Sequence, residues 1–169
     1  MRLLTAQEIR AQIGCDFLVG GSSAIRSAGW TTQMQRMPEL ITRGPVPGNL
    51  EGVRLRPRPE AVFDTLLSWQ CPIGYESDGL LERGSGWPVL MPEMAIADAL
   101  VDRLRGGETH IYDPDDLDPE EMGSGAPDLF RQALAALGVE VKHVPLAPHY
   151  LQVLADEGEP GVGRVGPTS

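Results

Sequence analysis

The residues whose types and spacing could do chemistry begin with Gly20-Gly21-Ser22-Ser23. This corner lies between an apolar run, Phe17-Leu18-Val19, and a small-residue segment carrying Ala24, Ile25 and Ala28. A glycine-serine corner between a strand and a helix can cradle nucleotide phosphates, but phosphoryl transfer then needs paired carboxylates to hold magnesium. Between Ser23 and Glu60 the acids are Glu39 and Glu51, and no Asp-x-Asp or Asp-x-Glu occurs. The pattern therefore favours a packing corner, where glycine lets strand and helix approach closely. It is not a dinucleotide fingerprint, since GxGxxG is absent. Ser22 or Ser23 as a nucleophile would need a paired base, and the GxSxG elbow is also absent.

Other groups are weighed in the same way. The acidic pairs Asp115/Asp116 and Glu120/Glu121 suggest calcium only until the loop chemistry is checked. The run from Asp113 to Asp118 lacks a glycine at the sixth position and a well-placed bidentate glutamate, so solvated turn residues are expected. His110, His143 and His149 are dispersed and read as surface or strand residues. Cys71 with His143 could be drawn as a dyad, but nothing local would activate the thiol. Cys15 and Cys71 are expected as two reduced, buried thiols, and the absence of CxxC or a Cys/His cluster argues against zinc. Arg54, Arg56 and Arg58 form a basic row. It is either a solvated strand face that discourages edge pairing, or a docking surface for an acidic partner or a nucleic-acid backbone. These three arginines are the candidate partner-binding residues; no catalytic, cofactor-binding or metal-binding residue is assigned.

The elements that would position these groups can be read from local signals. Thr5 and Glu8 form a capping-box pattern for a helix with Leu4, Ile9 and Ile13 on one face, ending at Gly14. Cys15–Val19 reads as a short buried strand. Ser22 or Ser23 would cap the next helix, which Gly29 stops. Glu39–Thr42 is strand-like, and residues 44–49 form a turn. Gly52–Arg58 alternates, with Val53 and Leu55 on one face and the arginines on the other. These two strands are expected to make a hairpin, with Pro57 and Pro59 marking a sheet edge.

Ala61–Trp69 reads as a helix with Val62, Phe63, Leu66 and Leu67 inward. Residues 70–88 are loop-like, with a short strand at Leu80–Leu81, and Val89–Met91 is a second brief apolar piece. The clearest helix opens at Pro92 and Glu93, with Met94, Ile96, Ala97, Leu100, Val101 and Leu104 apolar, and stops at Gly106-Gly107. Pro127–Leu137 is amphipathic, Val139–Val144 alternates as a strand, and Pro148–Ala155 is a last helix. Residues 1–155 are expected to form one domain, and the tail 156–169 is expected to be disordered.

The 169 residues suit a single core, and 41% apolar content includes no run near the roughly 18 residues of a membrane span. The N-terminus turns polar and charged too early for a secretory signal, so a cytoplasmic location is expected. The net charge of −10 divides unevenly, +3 over residues 1–60 and −13 over residues 61–169. Such a chain is a poor general nucleic-acid binder and a reasonable partner for a basic protein surface. The expected fold class is α+β, a small mostly antiparallel sheet flanked by helices.

Two blocks carry a resemblance. Val19-Gly20-Gly21-Ser22-Ser23-Ala24, then Gly29-Trp30-Thr31-Thr32-Gln33, Pro38 and Thr42-Arg43-Gly44, resemble the AbiE-type abortive-infection antitoxins of type IV toxin–antitoxin systems. The run from Met91 to Leu100 is similar to a second helix start of that family. The likeness spans about Phe17 to Leu137 and concerns the C-terminal domain, without the N-terminal winged helix-turn-helix; Trp30 stands where the family favours leucine. It implies an α+β antitoxin domain with no catalysis or cofactor, which neutralises a nucleotidyltransferase-like protein toxin. Two alternatives from other classes stand beside it. One is a stand-alone DNA-binding regulator using the arginine row, the other a degenerate minimal nucleotidyltransferase.

Overall fold

The computed structural model describes residues 4–33, 35, 37–47, 50–71, 87–118 and 122–158. Its first helix, α1 (Ala6–Ile13), is fixed at both ends by local chemistry. Thr5 and Glu8 close a reciprocal capping box, and Gly14 ends the helix in the left-handed conformation. Strand β1 (Phe17–Val19) is buried throughout and leads into α2 (Gly21–Ser27). The helix exists as expected, but neither serine caps it. Its first residue follows Gly20 with no side-chain cap, and Ser22 and Ser23 are spent sideways on the next strand.

That strand, β2 (Glu39–Arg43), pairs antiparallel with β1. The following strand, β3 (Arg54–Arg58), does not fold back as a hairpin. It runs parallel to β2, with Glu39 opposite Arg54 and Arg43 opposite Arg58. Ten residues, 44–53, separate the two strands, more than a tight turn uses, so β3 can begin beside the starting end of β2. The prolines do lie at an edge, since β3 is an outer strand of the sheet, paired with β2 alone.

Helix α3 (Glu60–Leu67) buries Phe63 and Leu66. Strand β4 (Gln70–Cys71) pairs antiparallel with β5 (Val89–Leu90), which runs parallel to β1. The sheet is thus mixed, two antiparallel and two parallel pairings, within an α+β fold. The short strand expected at Leu80–Leu81 lies outside the described residues.

Helix α4 (Pro92–Leu104) is central, packing against α2 and α5 (Ala126–Ala136). Its residues 93–101 are buried all round, which accounts for the mix of apolar and acidic side chains there. Leu104, expected inward, is 49% exposed at the free end. The run Val139–Val144 is a 3₁₀ turn at Val141–His143 and not a strand. It lies between helices, and its three-residue bonds turn Val144 and Ala147 inward. Helix α6 (Ala147–Gly158) continues three residues past the expected domain end, and residues 159–169 lie outside the described residues. Cys15 and Cys71 are free thiols, half-buried where full burial was expected. No helix of the described residues is long and apolar enough to cross a membrane.

Candidate functional site

The Gly-Gly-Ser corner meets the start of β2 at a single carboxylate. Glu39 is 1% exposed, and both its oxygens are occupied. Oε1 accepts from the Ser22 N–H and the Ser22 hydroxyl, each at 2.8 Å. Oε2 accepts from Arg56 Nε at 2.8 Å and from the His110 N–H at 3.0 Å. Ser23 completes the junction by accepting the Glu39 N–H at 2.9 Å. Gly21 has a positive φ of 51°, and a Cβ there would overlap Glu39 Oε1. The glycine is required by close approach as well as by conformation. Four donors on one buried carboxylate satisfy the rule that a buried charge must be paired and hydrogen-bonded.

The arginine row lies on one face, as its alternation indicates, but that face is not a solvated one. Arg54 is exposed, Arg56 is 11% exposed and Arg58 only 4%. Arg58 donates from Nε and Nη2 to the two oxygens of Asp98 at 2.9 and 2.8 Å, and from Nη2 to Thr109 Oγ1 at 2.7 Å. Its Nη1 lies 3.2 Å from Asp102 Oδ1. Thr109 relays the contact by donating its hydroxyl to Asp102 Oδ2 at 2.7 Å. Burial works against the Arg58 charge, and the Asp98 bond with the nearby acids more than offsets it, so its pKa lies above the ordinary arginine value.

The open end of the row is different. Arg54, Arg56 and Arg103 converge with Ser22, Glu39 and His110 on a recess of about 150 Å³. Burial lowers the His110 pKa, and Arg103, Arg54 and Arg56 lower it further against the pull of Glu39, which keeps the imidazole neutral at neutral pH. Its ring packs edge-on against Tyr112, with centroids 4.7 Å apart. Reading the sequence assigned His110 to a surface or strand position and missed Arg103, Asp98, Asp102 and Thr109. A usable signal was the spacing of Asp98 and Asp102, four apart and so on one side of a largely apolar helix.

Elsewhere the expected roles separate. His143 sits on the exposed turn near Glu140, whereas Cys71 is on edge strand β4. Asp113 caps the 3₁₀ turn Pro114–Asp116 by accepting the Asp115 N–H, and Asp115 in turn faces His149 at 3.0 Å. The pair Glu120/Glu121 lies outside the described residues. Among the described residues no group of three or more His, Cys, Asp or Glu is placed to hold a metal ion.

Fold and site together define an α+β protein with a mixed five-stranded sheet and an arginine row, paired at Arg56 and Arg58, that opens into a cationic recess at Arg54. No protein-family model, curated protein or solved structure matches the chain.

Proposed function

We propose that the protein is non-enzymatic and antitoxin-like, and that it acts by binding and neutralising a protein partner, a nucleotidyltransferase-type toxin. Its setting would be a cytoplasmic toxin–antitoxin system of the abortive-infection, phage-defence type. The observation that carries the reading is the state of the Gly-Gly-Ser corner. The Ser22 hydroxyl donates to Glu39, Ser23 accepts from the Glu39 backbone, and the Glu39 carboxylate already takes four donors. Groups so committed hold strand to helix; they are not poised for transfer chemistry.

The resemblance to AbiE-type antitoxins adds to this, because its two blocks pack on each other as α2 against α4. Of the arginine row, Arg54 is the member left exposed to meet a partner, since Arg58 is consumed by Asp98 and Asp102.

The test is co-expression with a nucleotidyltransferase-type toxin encoded beside it. Relief of growth arrest with recovery of a stable complex supports the reading, and Arg54→Asp should weaken that complex. No relief and no complex would overturn it. Magnesium-dependent nucleotide transfer by the pure protein would assign it to the transferases instead. Salt-dependent promoter binding lost in an Arg54→Ala/Arg56→Ala variant would make it a DNA-binding regulator.

A further inference from the structure

The recess over Glu39 has a charge balance that its internal bonds do not close. Arg56 Nε is committed to Glu39, and Arg56 Nη1 faces the exposed Glu108 at 3.7 Å. Arg54 and Arg103 have no carboxylate partner within ion-pair distance among the described residues, and Arg103 Nη1 donates to the Thr109 carbonyl at a long 3.4 Å. Glu39 cannot neutralise them further, because its two oxygens already accept four donors. Arg54, Arg56 and Arg103 thus face this small space with Glu39 and Glu108, a formal balance of +1 on a chain of net charge −10, and Arg54 and Arg103 are the two guanidinium groups without an ion pair there.

We propose that this recess binds a phosphate group, free or as a small monoester, held by Arg54 and Arg103 with Arg56 beside them. Glu108 is 87% exposed and spent on Arg56, which leaves Arg54 and Arg103 to meet an anion, and guanidinium forks suit the oxygens of a phosphate. The volume of about 150 Å³ falls below the roughly 300–1,000 Å³ of pockets for drug-sized ligands, which fits a phosphate group with accompanying water. His110 supplies a reporter. The same three arginines that depress its pKa would be screened by a bound anion, so the imidazole should become easier to protonate when the recess is filled. The other groups acting on it are Glu39, which already favours its charged form, and the Tyr112 ring. The site shares Arg54 with the partner-binding reading but is tested apart from it, since the isolated protein would hold its ligand and Arg103 belongs to the recess alone.

Calorimetry with inorganic phosphate and with phenyl phosphate, at ionic strength held constant with chloride, tests it on the full chain. Saturable binding at one site is expected. Arg54→Gln and Arg103→Gln, both at exposed positions, should each weaken it by at least about tenfold. Lys142→Gln, outside the recess, should leave it unchanged. Titration of His110 by NMR should show its pKa rise on saturation with phosphate. Binding of both ligands indicates a monoester site, and binding of inorganic phosphate alone indicates the free ion. Absence of saturable binding, equal binding by both recess variants, or an unmoved His110 would overturn the proposal.

Discussion

Arg58 on the edge strand donates to both carboxylate oxygens of Asp98 on the central helix, at 2.9 and 2.8 Å, with the two side chains 4% and 2% exposed. This bidentate pair joins β3 to α4 across 40 residues of sequence. Removing Arg58 leaves the Asp98 charge buried and unpaired, and removing the Asp98 charge leaves Arg58 with the Asp102 carboxylate alone at 3.2 Å. Either loss costs far more than the net value of the pair. Arg58→Met and Asp98→Asn should each destabilise the protein by about 3–5 kcal/mol. The double variant should cost clearly less than the sum of the two. Urea unfolding of the full cycle measures this, and additive losses would show that the pair is not a unit.

The Glu39 junction makes a second prediction. A carboxylate offers acceptors on both sides, so it can take Ser22 on one oxygen and Arg56 with His110 on the other. Glutamine keeps the shape but must turn an NH₂ toward one of those donor pairs. Turned toward Ser22, the NH₂ can donate to the hydroxyl but loses the Ser22 N–H. Turned the other way, it loses both Arg56 and the His110 N–H, and in either case Arg56 forfeits its buried counter-charge. Glu39→Gln should therefore cost roughly 3–5 kcal/mol, read as a lowered denaturant midpoint. A loss below about 1 kcal/mol would mean that the corner is held by packing alone.

Two glycines with positive φ separate strain from crowding. Gly14 at 75° has nothing within 4 Å of a built Cβ, so Gly14→Ala should lose only the left-handed penalty of about 1–2 kcal/mol. Gly21 at 51° would drive its Cβ into Glu39 Oε1 and to 3.0 Å from Thr109 Cγ2. Overpacking of about 1–3 kcal/mol then adds to the strain, giving roughly 2–5 kcal/mol for Gly21→Ala. Equal losses in chemical denaturation would remove the close-approach explanation for Gly21.

What was legible in the sequence follows the range of the interaction. Thr5 with Glu8, Gly14, Gly29 and Pro92 act within a turn of their own helix, and each marks its boundary in the fold. The alternation from Arg54 to Arg58 likewise puts the three arginines on one face. Which face was not legible, because that is decided by Asp98, Asp102 and Thr109, far along the chain. The direction of β3 failed for a related reason: no tight-turn signal fixes it, and the longer connection allows a parallel return. Val139–Val144 alternates, yet a strand needs a neighbour with free backbone groups, and this run lies between α5 and α6 in the chain and packs on α6. Glu39 carried an unused clue as a lone acid at the head of the apolar strand beside the serine corner.

Glu93 gives the pH prediction. It lies in the first turn of α4, 7% exposed, and burial raises its carboxyl pKa while its own backbone N–H pulls the other way. A raised folded-state pKa means that the folded protein holds this proton more tightly than the unfolded chain does. The contribution of Glu93 to stability is thus fully present below the ordinary carboxyl value of 4.5 and declines as pH rises through the folded-state pKa. At neutral pH the ionised side chain is a net cost, so Glu93→Gln should stabilise the protein there by up to about 1 kcal/mol. Acidification through the carboxyl range should erase the difference between variant and wild type. Urea midpoints for the two proteins across that range check it. A gain that persists unchanged at the acid end would assign the effect to packing of the amide and not to the buried charge.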